Sequence, residues 1–91
     1  MYNISAKLIF YIPYATSLKD KRQVCRSLLD KARKRFNASI AEVATHDVHQ
    51  TLTIGIAIVS GDASHGQSTL EEIIRYMEEH SDAELVDVHH Y

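Results

Sequence analysis

The sequence predicts an α+β domain in which two helices lie on a four-stranded antiparallel sheet. Three observations carry that expectation. Residues 3–12 and 51–59 alternate their side chains with period two, the mark of a half-buried strand. Residues 18–36 and the stretch up to about His80 repeat apolar residues at helical spacing. Two shorter stretches, 38–44 and 84–90, read as the remaining strands, so the order is β-α-β-β-α-β.

The first strand carries Ile4, Ala6, Leu8, Phe10 and Ile12 on one side and Asn3, Ser5, Lys7, Ile9 and Tyr11 on the other. Pro13 closes it, because proline has no amide proton for a sheet ladder. Ser17 opens the first helix. Its hydroxyl can cap a free backbone amide, and Asp20 in the first turn suits the positive end of the helix. Leu18, Val24, Cys25, Leu28, Leu29, Ala32 and Phe36 then fall on one arc of roughly 140°, and Asn37 is the expected stop. The second strand (ASIAEVA) passes through a polar connection, Thr45 to Gln50, into the third. There Leu52, Ile54, Ile56 and Ile58 point one way and Thr51, Thr53, Gly55, Ala57 and Val59 the other. Ser60-Gly61-Asp62 is a turn, with Asp62 or Ser64 capping the second helix. That helix buries Leu70, Ile73, Ile74 and Met77 and wets Glu71, Glu72, Glu78 and Glu79, while Gly66 and Gln67 weaken its first turns. The last strand, 84–90, alternates again.

This order predicts the ferredoxin-like sandwich, one domain over residues 1–91 with both helices on one face. The opposite sheet face then shows Ser5, Lys7, Ile9, Tyr11, Thr51, Thr53, Gly55 and Ala57, a surface of small residues that is only half polar.

Hydrophobic residues make up 45% of the chain and charged residues 24%, which excludes a wholly disordered chain. The single cysteine, Cys25, allows no internal disulfide and makes a reducing cytoplasm the expected location. No apolar run approaches the roughly 18 residues of a membrane span, and no export-signal pattern opens the chain. The formal net charge of −2 conceals a strong asymmetry. Residues 19–35 hold eight of the ten basic residues against Asp20 and Asp30 alone, a net of +6; elsewhere Lys7 and Arg75 face ten carboxylates, a net of −8. Such a chain has a local field that its net charge does not report. The six histidines would turn the whole chain positive on mild acidification, since their unperturbed pKa is about 6.5.

The run Ser17-Leu18-Lys19-Asp20-Lys21-Arg22, followed by Val24 and Ser27-Leu28-Leu29, resembles the YlxP-like family of small bacterial proteins of unassigned function. So does Arg35-Phe36-Asn37-Ala38-Ser39-Ile40-Ala41-Glu42-Val43. The resemblance continues through Asp47, Gln50, the Gly-Ile-Ala-Ile-Val strand and the Glu-Glu-His-Ser-Asp-Ala-Glu end of the second helix, nearly the whole chain. It implies a ferredoxin-like fold. The family's genes often lie near those for translation initiation factor two and ribosome-binding factor A, which implies a setting in translation or ribosome assembly. This chain has His49 where the family often carries an aromatic residue.

On a helical wheel Lys19, Arg22, Arg26 and Arg33 fall within about 60° of one another, beside the apolar arc. They form a ridge about 20 Å long, and cations held at intervals are what phosphates need. The bland alternative is a solvated face, or a partner for the acidic face of the second helix. Lys21 points into the apolar arc and is expected to serve packing. The third strand lacks the aromatic residues on which RNA-recognition modules of this fold stack bases, so contact would be to backbone phosphate and shape. His46 and His49 in the hairpin loop, and His89 and His90 on the last strand, fall short of the convergent set that zinc needs and read as surface residues. Cys25 lies in the apolar arc and reads as a core residue rather than a nucleophile. No Gly-rich phosphate loop and no Cys-x-x-Cys pair is present.

These residues lead to a non-enzymatic binding protein, a ribosome- or RNA-associated accessory factor working through the ridge. The alternative is a small regulatory or oligomerisation domain. It would form a homodimer through the open sheet face or through edges with little obvious protection. No catalytic residue, cofactor, metal or membrane contact is expected.

Overall fold

The computed structural model describes residues 1–91. Its elements run β1 (Tyr2–Tyr11), α1 (Leu18–Arg35), β2 (Ser39–Ala44), β3 (Thr51–Ser60), α2 (Ala63–Glu79) and β4 (Glu84–His90). The strands form one antiparallel sheet in the order β2-β3-β1-β4, with both helices on one face. This is the ferredoxin-like sandwich that the alternation and helical spacing predict.

The core sits between the layers. Ala6, Leu8, Phe10 and Ile12 of β1 and its extension meet Leu52, Ile54, Ile56 and Ile58 of β3, under Cys25, Leu28, Leu29 and Ala32 of α1 and Leu70, Ile73 and Met77 of α2. Each large aliphatic side chain buried there stabilises the fold by about 1.5–3 kcal/mol.

The helix ends follow local chemistry. Ser17 Oγ accepts from the Asp20 amide at 3.1 Å. Asp20 Oδ2 in turn accepts from the amide and the hydroxyl of Thr16, at 3.0 and 2.8 Å. Those bonds from Thr16 hold the Asp20 carboxyl below its ordinary pKa. Asp62 caps α2, accepting from the His65 amide at 3.1 Å. α1 stops at Phe36, which is extended, and not through a left-handed Asn37. The left-handed residue of this chain is Thr45, at φ 55°.

Gly66 has a use that helix propensity hides. It is buried where α2 crosses β1. A Cβ there would overlap the end of the Ile4 side chain and lie 3.0 Å from Ser60 Cβ. The glycine lets helix and sheet approach.

The two helices meet through an aromatic cluster. Phe36 packs edge-on to Tyr76 at 5.5 Å, Tyr76 stacks on His80 at 3.9 Å, and the Arg35 guanidinium lies 5.2 Å from the Tyr76 ring. No ion pair joins the basic ridge to the acidic face of α2; the one salt bridge of the chain links Lys21 to Glu42.

Both edge strands are bulged, which corrects the expectation of unprotected edges. On β2 the register shifts between Glu42 and Ala44, leaving Val43 as the extra residue. On β4 Leu85 pairs with Phe10 and Asp87 with Ile9, so Val86 is left over. A bulge twists an edge and interrupts the ladder that an added strand would need.

Candidate functional site

α1 lies over β2 and is fastened to it at two points. Lys21, only 1% exposed in mid-arc, donates from Nζ to the Thr45 carbonyl. The same ammonium stands 3.0 Å from Glu42 Oε2. Glu42 Oε2 has no hydrogen-bond partner, so the pair is held by charge. Three turns further on, Arg33 donates from Nε and Nη2 to the Ile40 carbonyl at 3.0 and 2.6 Å.

Thr45 completes the first anchor. A left-handed β-branched residue costs on the order of 1–3 kcal/mol. The hydroxyl offsets part of this by donating to the Thr51 carbonyl at 3.2 Å and pairing with Thr53 Oγ1 at 2.8 Å. In this conformation the carbonyl of Thr45 meets the Lys21 ammonium.

Between α1 and the β2–β3 hairpin lies a cleft of about 380 Å³. Cys25 and Leu29 give it an apolar floor. Arg22, Arg26 and Asp30 line the helix side, and His46 and Asp47 line the hairpin side. With Lys21, Arg33 and Glu42 the cleft holds four cations against three carboxylates, a mixed surface and not a uniformly basic one. The Cys25 thiol is pushed up in pKa, first by burial and then by the Glu42 charge, with Lys21 and Arg33 offsetting in part. A thiol held protonated is a poor nucleophile.

The ridge residues divide. Arg22 and Arg26 are exposed, line the cleft, and form no side-chain hydrogen bond or ion pair. Lys19 is exposed on the same ridge, outside the cleft. Arg33 keeps an exposed charge, but two of its donor nitrogens are committed to Ile40. Lys21 is buried, as its place in the apolar arc implies. No three His, Cys, Asp or Glu side chains converge on a common point, so His46 and His49 have no third companion.

Glu42 is the site residue that the helical wheel does not reveal. It follows Ile40 by two residues on β2 and so shares the core-facing side. A carboxylate on an apolar strand face and an ammonium in an apolar helix arc are the two halves of one buried pair.

The other face of the sheet carries a shallow depression of about 350 Å³, floored by Ser5, Ala41, Gly55 and Ala57 and walled by Val43 and Tyr91. A Cβ at Gly55 would come within 2.8 Å of Val43 Cγ1, so the Val43 side chain would have to shift.

Fold and cleft together define a small ferredoxin-like α+β domain with a mixed-charge groove between its first helix and an edge strand. The chain belongs to the family described as "Protein of unknown function (DUF503)", whose profile matches residues 4–90. It is similar to the "Uncharacterized protein YlxP" of Bacillus subtilis (strain 168), with 33% identity over 64 residues, 70% of either chain. The family is the one that the SLKDKR opening of α1 resembles. No helix is long and apolar enough to cross a membrane.

Proposed function

We propose that the protein is a non-enzymatic accessory factor of the cytoplasm that binds ribosomal or other structured RNA through Lys19, Arg22 and Arg26 of α1, with Arg33 adding fixed charge. One observation carries this reading. Arg22 and Arg26 stand exposed one turn apart with no partner inside the chain, whereas Lys21 and Arg33, on the same helix, are engaged. Free guanidinium groups at helical intervals match phosphate spacing and geometry. The resemblance to the YlxP-like family, whose genes often lie near translation genes, implies the same setting.

The test is fluorescence anisotropy on a structured RNA between about 50 and 200 mM salt. Binding is expected to weaken steeply with salt, and each contacting charge removed should lower the log–log slope by roughly 0.7–0.9. The double variant Arg22→Glu/Arg26→Glu should abolish binding with an unchanged circular dichroism spectrum, because neither side chain is buried. Equal binding by that variant, or no binding by the parent at low salt, removes the reading.

A second reading rests on the open sheet face. Tyr11, Val43, Val59 and Tyr91 are all exposed there, and the bulged edges leave that face as the surface for a two-fold homodimer. A monomer mass throughout a sedimentation dilution series excludes it.

A further inference from the structure

Contact with phosphate alone does not account for the cleft. At 100° per residue Asp30 falls at the margin of the ridge, about 40° from Arg26. A surface built only for phosphate gains nothing from a carboxylate in that position. Arg22, Arg26, Asp30, His46 and Asp47 line one small cleft, yet none forms an ion pair or side-chain hydrogen bond with another. Opposite charges kept together but apart leave open both acceptors and donors. The ligand they suit is negative at one end and rich in N–H groups at the other.

A guanine nucleotide has that form. Its N1–H and N2 amine are adjacent donors, which one carboxylate accepts side by side. Adenine and cytosine set an acceptor beside their amine, and uracil sets its N–H between two acceptors. The lengths also agree. From midway between Arg22 and Arg26 to Asp30 the helix climbs six residues, about 9 Å, the reach of a nucleotide from phosphate to base edge. Along the axis Cys25 and Leu29 fall within that span, turned toward β2, an apolar floor for a purine ring. A volume of about 380 Å³ is at the small end for ligand clefts and gives room for one nucleotide.

We infer that the cleft takes a single guanylate, with its phosphate on Arg22 and Arg26, its ring over Cys25 and Leu29, and its N1–H and N2 amine on Asp30. The inference rests on the RNA-binding reading and adds a base preference to it. His46 and Asp47 form the opposite wall and contribute no choice between bases.

The experiment titrates the full chain with GMP, IMP and AMP by calorimetry. In parallel it titrates a uridine oligonucleotide with and without one central guanine. GMP should bind at least about fivefold tighter than AMP, the lower end for a two-bond base contact. IMP, which lacks the N2 amine, should lose that advantage. Asp30→Asn should bring GMP and AMP to parity without weakening AMP. Asp47→Asn should leave the ratio unchanged, and Arg22→Ala should weaken all three alike. Preference in the oligonucleotide assigns the guanine to RNA; preference for GMP alone assigns it to a free nucleotide. Equal binding of the three nucleotides, with guanine-independent binding of the oligonucleotides, overturns the inference and leaves the phosphate ridge standing. Absence of binding to every one of these probes also overturns the inference, and the titration with structured RNA decides the ridge separately.

Discussion

Lys21→Met removes a charge and a donor from between α1 and β2 while keeping an unbranched side chain of similar volume. Two losses follow. The Thr45 carbonyl forfeits a hydrogen bond from a charged donor, worth about 1.5–3 kcal/mol. Glu42 forfeits its counter-charge. Breaking a fully buried pair costs about 3–5 kcal/mol. The Glu42 side chain is 21% exposed and can turn toward water, so about 1 kcal/mol is the better figure for this part. The expected total is about 2.5–4 kcal/mol. For a domain of this size that lowers Tm by roughly 10–30 °C. Circular dichroism melts and urea titrations measure it. Lys21→Met/Glu42→Leu should recover at least about 1 kcal/mol over the single variant, because an apolar pair replaces the ionic one without a stranded charge. A single variant within about 0.5 kcal/mol of the parent, or a double-mutant cycle with no coupling, would refute the account of how helix and edge strand are joined.

Gly66→Ala opposes two effects. Helix propensity favours alanine by up to about 1 kcal/mol, and overpacking against Ile4 and Ser60 opposes it by about 1–3 kcal/mol. The expected result is a net loss in urea unfolding; a gain in stability would show that α2 does not approach β1 as described. Cys25 supplies a pH dependence. Its pKa is raised in the folded state, so the native chain holds the proton that the unfolded chain releases. Its contribution is complete below the unfolded thiol pKa of about 8.5 and is lost as pH rises from there toward the folded value. Urea midpoints should therefore fall with increasing pH in the alkaline range, and Cys25→Ala should flatten that fall.

The strands and helices were legible because burial on one side imprints a period. Ile4 to Ile12 and Leu52 to Ile58 announce their inward faces, Ser17 announces the first helix, and of the two candidate caps of the second, Asp62 and Ser64, the structure uses Asp62. The bulges were not legible. One surplus residue at Val43 or Val86 changes pairing without disturbing a readable apolar pattern. Half of the site was visible for a similar reason. A helical wheel aligns Arg22 with Arg26, but it cannot show that Arg33 spends two donors on the Ile40 carbonyl, since every residue has a carbonyl and none marks itself as an acceptor. Lys21 pointed into an apolar arc, while nothing in the short ASIAEVA strand marked Glu42. Only the packing of α1 on β2 makes them partners. Gly66 read as a weak point in α2 because propensity sees the helix and not the Ile4 side chain beneath it.

The two anchors of α1 change how the margin of the sheet opens. β2 has a strand neighbour on one side only, and such a margin ordinarily frays far more often than the whole molecule unfolds. Here Lys21 grips its far end and Arg33 its near end, from one rigid helix. Strand and helix then open as a unit, so the amides of β2 should exchange with solvent in step with those of α1 rather than ahead of them. A molecule bound to the outer side of the helix would slow exchange in a strand it need not touch.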